Sequence, residues 1–187
     1  MSEITSATHD RILRHARGYL ELGELLADGE GPPPPAAQTV LRRSLEEIDR
    51  LPAGVRDRSV VRLVEGEALR ALGDYTAALT PLASAAATQP RHVEAWLGLG
   101  WCLKRLGRLD AAITALRRGL EAAPEEAILL YNLACYHALA GDVPAAIEHL
   151  SRAISIDDRF RDLTGSEPDF DAIRADPRFV AATCVIA

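Results

Sequence analysis

The sequence predicts an all-α protein built from consecutive helical hairpins, and two observations support this prediction. The first is a repeat of 34 residues, which aligns residues 69–90, 103–124 and 137–158 without a gap. The second is the placement of glycines and prolines, which recur in these segments where a helix must end. A fixed period of this length is typical of proteins in which each helical hairpin buries its apolar face against the next.

Each repeat places the same kinds of residue at the same positions. A glycine after the first helix can take the left-handed conformation that ends a helix. Small residues in both helices allow close approach, and a leucine lies seven residues after an apolar residue on one helical face. Repeat by repeat, these positions hold Gly66, Gly73, Ala78, Leu82 and Pro90; Gly100, Gly107, Ala112, Leu116 and Pro124; and Ala134, Gly141, Ala146, Leu150 and Asp158.

The middle repeat resembles the tetratricopeptide repeat, with its W-x2-L-G pattern, central alanine and terminal proline. The outer repeats depart from that pattern, because Arg62 and Leu130 occupy the tryptophan position and Glu65 replaces a leucine. The resemblance implies a right-handed superhelical solenoid with three regular repeats over residues 59–158. The residues of the middle repeat that match are Trp96, Leu99, Gly100, Leu103, Gly107, Leu109, Ala112, Leu116, Gly119 and Pro124.

Residues 1–58 are interpreted as a degenerate N-terminal repeat. A long helix is expected within residues 10–31 and a partner helix over 36–52. The proline-rich segment 29–35 interrupts them and is expected to run as a polyproline connector. Pro32–Pro35 also permits a second interpretation, as a ligand for an SH3-like domain. The first helix repeats the rhythm of the later ones at Tyr19, Leu22, Gly23 and Leu26.

Residues 159–187 are predicted to cap the last repeat. The phrase EPDFDAIRADPRF, residues 167–179, resembles the aspartate- and proline-rich segment that ends the array in many bacterial repeat proteins. We expect it to fold back on the apolar face from Leu150 to Ile156, since the end of an array needs cover. A short helix should begin near Pro177 with Asp176 as its N-cap. The inward side chains should be Phe160, Phe170, Ile173 and Phe179.

Composition limits the possible partners and the compartment. The formal net charge of −6 over 187 residues argues against a nucleic-acid partner, which favours a clustered basic face. No apolar run is long enough to span a membrane, and no secretory signal is visible. Three cysteines with no CxxC pair argue against a disulfide framework and favour a reducing cytoplasm.

The sequence contains no recognisable catalytic motif, so we expect a protein that is not an enzyme and needs no cofactor. No metal site is predicted either. Cys135 and His137 are two residues apart, and side chains with that spacing point in different directions from a helix. His149 is expected to lie across the turn from His137.

The family resemblance implies that the first helix of each repeat lines a concave groove. The carboxylate clamp of well-known members is not matched, since its positions hold Leu63, Glu67, Gly98, Ile128 and Asn132. Trp101 and Tyr131 are candidate anchors for an apolar or amphipathic segment, with Gly98 leaving space at the centre. Alternatively, Trp101 and Leu97 pack inside the superhelix or against the N-terminal helix. The predicted groove residues are Leu63, Glu67, Arg70, Leu97, Trp101, Lys104, Tyr131, Asn132 and Cys135.

The function predicted from these features is protein binding. The leading hypothesis is a cytoplasmic scaffold or adaptor that holds a peptide or helical segment of another protein in the groove. The alternative is a secretion-type chaperone that masks an apolar segment of a client. The sequence leaves open the partner, the pathway, the oligomeric state and whether a terminal segment of the chain itself fills the groove.

Overall fold

The structure is a computed structural model that describes residues 2–27 and 31–184. Helix accounts for 79 % of these residues, and no strand occurs among them. The predicted all-α fold class is therefore confirmed. Within the described ranges, no helix is long and apolar enough to cross a membrane.

Eleven α-helices and one 3₁₀ helix follow one another along the described part of the chain. Helices α4 to α9 are the six helices of the three repeats. The bounds are α1 Ser2–Leu26, α2 Pro35–Asp49, α3 Ala53–Arg56, α4 Ser59–Ala71, α5 Tyr75–Thr88, α6 Val93–Arg105, α7 Leu109–Ala122, α8 Ala127–Leu139, α9 Val143–Ile156, α10 Arg159–Leu163, the 3₁₀ helix Pro168–Ile173 and α11 Pro177–Thr183.

The glycine after the first helix of each repeat adopts the predicted left-handed conformation. The φ angles of Gly73, Gly107 and Gly141 are 84°, 71° and 77°, and no other residue of the described chain has a positive φ. A side chain with a Cβ would be strained at these positions, which explains why glycine recurs there every 34 residues. In the first and last repeats an aspartate, Asp74 or Asp142, then caps the second helix by accepting a backbone hydrogen bond.

The chain forms two compact units, unit 1 from Met1 to Leu106 and unit 2 from Gly107 to Ala187. The division falls at the turn between α6 and α7, inside the middle repeat. The three-part organisation expected from the sequence, 1–58, 59–158 and 159–187, stays a prediction.

In unit 1, α1 and α2 pair as the expected N-terminal hairpin. A Cβ on Gly23 would lie 2.5 Å from Leu41 Cδ2, and a Cβ on Gly66 would lie 2.5 Å from Leu82 Cγ. A close contact between a glycine and a leucine therefore occurs both between α1 and α2 and between α4 and α5. This shared contact supports the interpretation of the N-terminal hairpin as a degenerate repeat.

The helices in this region differ from the predicted bounds. Helix α1 begins at Ser2, eight residues earlier than expected, because the polar N-terminal stretch continues the helix without a breaker. Helix α2 begins at Pro35, since proline is tolerated in the first turn. The linker after α2 contains the short helix α3. Of the predicted proline-rich connector, residues 29 and 30 lie outside the described residues.

Unit 2 is organised around α8, which is buried on almost every side. Helices α7 and α9 pack against it, and so does the 3₁₀ helix. The fully enclosed side chains include Leu129, Leu130, Leu133 and Tyr136. A helix that is apolar all round is typical of a central position.

The C-terminal segment contains the predicted short helix. Helix α11 begins at Pro177, and Asp176 Oδ1 accepts a hydrogen bond of 2.8 Å from the backbone N–H of Arg178. Hydrogen bonds from the Arg178 side chain and from its backbone N–H lower the pKa of Asp176 to about 2. The predicted N-cap is confirmed.

The predicted inward contacts of this segment are largely found, with two differences. Phe170, Ile173 and Phe179 are buried, whereas Phe160 is half-buried. The segment contacts α9 through α10 and α11, but its 3₁₀ helix packs on α8. Ile156 keeps 47 % of its surface exposed, so the predicted cover of the α9 face stops short of that residue.

Candidate functional site

Six of the nine predicted groove residues lie in unit 1, on α4 and α6. All six are half-buried, as expected of side chains that edge a surface. Their spacing of three or four residues within each helix places them on neighbouring positions of one helical face. We call this surface the Trp101 face, and its residues are Leu63, Glu67 and Arg70 of α4 and Leu97, Trp101 and Lys104 of α6.

Trp101 is held by aromatic and cationic neighbours. The ring of Trp101 packs edge to face with the ring of Tyr75 at the start of α5, with their centroids 5.1 Å apart. The guanidinium carbons of Arg70 and Arg105 each lie 5.4 Å from the centre of the indole ring. Arg105 lies at the same distance from the Tyr75 ring. These contacts orient the indole and leave part of it accessible.

Arg70 links α4 to α1 through an ion-pair network. Its Nε donates to Glu67 Oε2 at 2.5 Å, and its Nη2 donates to Glu24 Oε1 at 2.9 Å. Burial raises the pKa of Glu67, although the adjacent Arg70 guanidinium works in the opposite direction. The charge of Arg70 is therefore already engaged within unit 1. Arg105 is exposed, and its guanidinium lies near the Tyr75 and Trp101 rings.

Gly98 does not leave an open space on the Trp101 face, contrary to the expectation from sequence. The glycine is buried, and a Cβ added to it would collide with Glu67 Oε1 and lie 3.3 Å from Leu82 Cδ2. The Glu67 side chain thus occupies the room that the missing side chain leaves. Gly98 permits close packing of α6 and provides no pocket.

The three predicted groove residues of unit 2 lie on α8 and differ in accessibility. Tyr131 keeps only 5 % of its surface exposed, because Phe160 and Phe170 pack on its ring at centroid distances of 4.9 and 5.7 Å. Cys135 is buried as well. Asn132 is half-buried, and its Nδ2 donates to the backbone oxygen of Ile128. The C-terminal segment therefore covers Tyr131, a predicted anchor for a partner.

His137 and His149 form a stacked pair between α8 and α9. Their ring centroids are 5.4 Å apart, and the planes differ by 23°. Arg117 Nη2 lies 3.4 Å from His137 Nε2, and Asp142 Oδ2 lies 3.5 Å from His137 Nδ1. A guanidinium next to the pair disfavours protonation of either ring. The expected position of His149 across the turn from His137 is confirmed.

This arrangement predicts a pH-dependent stability. Burial is the main cause of the lowered pKa of His149, and the positive charges nearby add to it. Because the pKa of His149 is lowered in the folded state, acidification protonates this residue in the unfolded chain first. The free energy of unfolding should therefore fall as the pH drops below about 6.5. The charged or titratable groups that act on His149 are His137, Arg117, Arg152 and Glu148.

The measurement is thermal unfolding between pH 7.5 and 5.0 for the wild type and for His149→Gln. The variant should lose less stability on acidification than the wild type. His15→Gln is the matched control, because His15 is exposed on α1 and its replacement should leave the pH profile unchanged. Identical profiles for the wild type and His149→Gln would contradict the assignment.

A comparison with protein families assigns the repeats. The model described as "Tetratricopeptide repeat" matches residues 63–124 and 103–162, which together cover more than half of the chain. The chain belongs to the tetratricopeptide repeat family. Proteins of this family generally mediate protein–protein interactions and are typically non-catalytic.

One curated relative of this tetratricopeptide repeat protein is BBSome complex member BBS4 of Mus musculus. The two are 30 % identical over 101 residues, which is 54 % of this chain and 19 % of the mouse protein. The chain thus spans about a fifth of the length of that relative.

Solved tetratricopeptide repeat structures show the same fold. YrrB, described as a TPR protein with an unusual peptide-binding site, superimposes with a TM-score of 0.55 at 23 % identity, over 70 % of this chain and 64 % of YrrB. MamA superimposes with a TM-score of 0.61 at 19 % identity, over 79 % of this chain and 89 % of MamA. At these identities the likeness concerns the fold.

Proposed function

We propose that this tetratricopeptide repeat protein is a non-catalytic scaffold or adaptor that binds a peptide or helical segment of another protein. The Trp101 face of unit 1 is the proposed binding surface. The main support is Trp101 itself, a half-buried indole whose orientation is set by Tyr75, Arg70 and Arg105. Tryptophan and arginine are the residue types most often found at binding hot spots.

The chemistry of the Trp101 face favours an amphipathic partner segment. Leu63, Leu97 and the accessible part of Trp101 offer apolar contact, whereas Arg105 offers donors for a carboxylate or a backbone carbonyl. Because the indole is already held in place, little side-chain entropy is lost when a partner docks. In unit 2, Asn132 is the accessible member of the predicted set.

The proposed compartment is the cytoplasm. Cys102 and Cys184 form no disulfide, and an exposed thiol such as that of Cys184 is compatible with a reducing environment. A secretion-type chaperone would use the same surface for a strongly apolar segment. Strongly apolar bound peptides would favour this chaperone alternative, whereas amphipathic peptides would favour an adaptor.

The proposal is tested by selecting peptides from a random twelve-residue phage-display library on the full-length chain. We expect enrichment of peptides with an apolar anchor and at least one acidic residue. Trp101→Ala should weaken their binding by about 2 kcal/mol, which is roughly a thirtyfold rise in Kd, since truncating a hot spot removes contact area at its centre. Fluorescence anisotropy of the labelled peptides measures the change.

Leu25→Ala is the matched control for Trp101→Ala. Leu25 is 80 % exposed on α1, outside the Trp101 face, so its replacement should leave peptide affinity unchanged. Thermal unfolding of both variants separates binding from stability. If Trp101→Ala binds the peptides as well as the wild type, or loses about 3 kcal/mol or more of stability as a core residue does, the proposal is wrong.

A further inference from the structure

A cluster of metal-ligating side chains lies in unit 2, where the 3₁₀ helix packs on α8. The Sγ of Cys135 and one carboxylate oxygen each of Glu167 and Asp169 all lie within 4.8 Å of one another. Cys135 is buried, and the two carboxylates are half-buried. Sequence spacing pairs Cys135 only with His137. The cluster is not visible in the sequence, because Glu167 and Asp169 are about thirty residues further along the chain.

Local structure holds the backbone around the two carboxylates in place. Glu167 Oε1 accepts a hydrogen bond from the backbone N–H of Asp169 at 3.2 Å and so caps the 3₁₀ helix. Arg174 donates to the backbone oxygen of Glu167 at 3.0 Å and to that of Thr164 at 2.8 Å. Phe170, the residue after Asp169, has no exposed surface and anchors the 3₁₀ helix. The backbone that carries both carboxylates is therefore set by the fold.

A separate observation at the same place indicates a missing ligand. Tyr131 lies one helical turn before Cys135, and its hydroxyl is buried without a hydrogen-bond partner in the described part of the chain. Its ring packs on Phe170, and the groups whose charges raise its pKa, besides burial, include Cys135, Glu167 and Asp169. The charges of the cluster thus act on this hydroxyl. Leaving a buried hydroxyl unpaired costs about 1–3 kcal/mol, so such groups usually have a partner.

We propose that Cys135, Glu167 and Asp169 bind one Zn²⁺ ion, with the Tyr131 hydroxyl directed at the remaining coordination position or at a water bound there. A thiolate with two carboxylates is a donor set for a borderline-soft ion, whereas Mg²⁺ and Ca²⁺ prefer oxygen ligands alone. Zinc binds thiolate at about 2.3 Å and carboxylate oxygen at about 2.1 Å, so two ligand atoms of a tetrahedral site lie about 3.5 Å apart. The three ligand atoms, which lie within 4.8 Å of one another, therefore draw closer when the ion binds.

Binding of the ion strengthens the attachment of the C-terminal segment and releases a proton. Ligation joins α8 to the 3₁₀ helix and so strengthens the attachment of the C-terminal segment that covers Tyr131. The Cys135 thiol must lose its proton, which passes to the buffer, and binding should therefore be tighter at higher pH. The two carboxylates and the thiolate together carry three negative charges, one more than the two positive charges of the ion.

The test uses the full-length chain with Cys184→Ala, which removes the exposed thiol as a competing ligand. The protein is treated with a chelator under reducing conditions and then titrated with Zn²⁺ alone by calorimetry. We expect one ion per chain, and a rise in Tm with Zn²⁺, since a ligand that binds the folded state stabilises it. Co²⁺ should produce the absorption band of a thiolate ligand.

Cys135→Ser should weaken Zn²⁺ binding at least tenfold and abolish the Co²⁺–thiolate band. Asp169→Asn and Glu167→Gln should also weaken binding at least tenfold, and they test the same site if Cys135→Ser fails to fold. Cys102→Ser, which changes a buried thiol of unit 1, should bind Zn²⁺ like the parent. No stoichiometric binding, or unchanged affinity in the Cys135, Glu167 and Asp169 variants, would overturn the proposal.

Discussion

Phe170→Ala is expected to lower the free energy of unfolding of unit 2 by about 3–5 kcal/mol, the usual loss for a fully buried phenylalanine. Phe170 has no exposed surface, and its ring contacts Tyr131 and Phe179 at centroid distances of 5.7 and 5.3 Å. The side chain thus joins α8 to α11 through the 3₁₀ helix. Its removal leaves a cavity that the helices on either side close only in part.

Chemical denaturation of the wild type and the variant measures this loss. Val180→Ala is the matched control, because Val180 belongs to the same segment but is 44 % exposed, and its truncation should change stability by less than about 0.5 kcal/mol. A loss below about 1 kcal/mol for Phe170→Ala would mean that the C-terminal segment does not form part of the core of unit 2.

Leu82→Ala should destabilise unit 1 by about 2–5 kcal/mol. Leu82 is completely buried, and it lies against two glycines on different helices. Its Cγ is 2.5 Å from the position of a Cβ on Gly66, and its Cδ2 is 3.3 Å from that of a Cβ on Gly98. The leucine therefore fills the space that the glycines of α4 and α6 leave open.

The same geometry predicts that Gly66→Ala is destabilising by about 1–3 kcal/mol, since the new methyl group overlaps Leu82. The double variant should recover at least about 1 kcal/mol relative to the sum of the single losses, because the smaller residue makes room for the larger one. Gly18→Ala is the control. Gly18 lies in α1 with nothing within 4 Å of an added Cβ, so this change should stabilise the helix by roughly 0.5–1 kcal/mol. Additive losses in the double variant would contradict the proposed contact.

The features that could be predicted from sequence are those set by local backbone chemistry. The positive φ of Gly73, Gly107 and Gly141 follows from the way a helix ends, and the start of α11 follows from an aspartate before a proline. The 34-residue period also predicts which face of each helix is apolar. These properties depend on residues within a few positions of one another, so a single sequence is enough to identify them.

The accessibility of the candidate site could not be predicted in the same way. The period assigns Trp101 and Tyr131 to similar helical faces, yet Trp101 is half-buried beside Arg105, whereas Tyr131 is enclosed by Phe160 and Phe170. The difference arises from a C-terminal segment that follows no repeat. Gly98 shows the same limit, because the space beside it is filled by Glu67 from another helix.

For this protein, the sequence by itself determined the helical repeats, their turns, the family and the faces that become apolar. Only the tertiary structure decided which of those faces stay open. It buried Tyr131 and Cys135, and it placed Glu167 and Asp169 next to the thiol. The physical reason is that periodicity reports the direction of a side chain from its own helix, whereas burial depends on what distant segments of the chain pack against it.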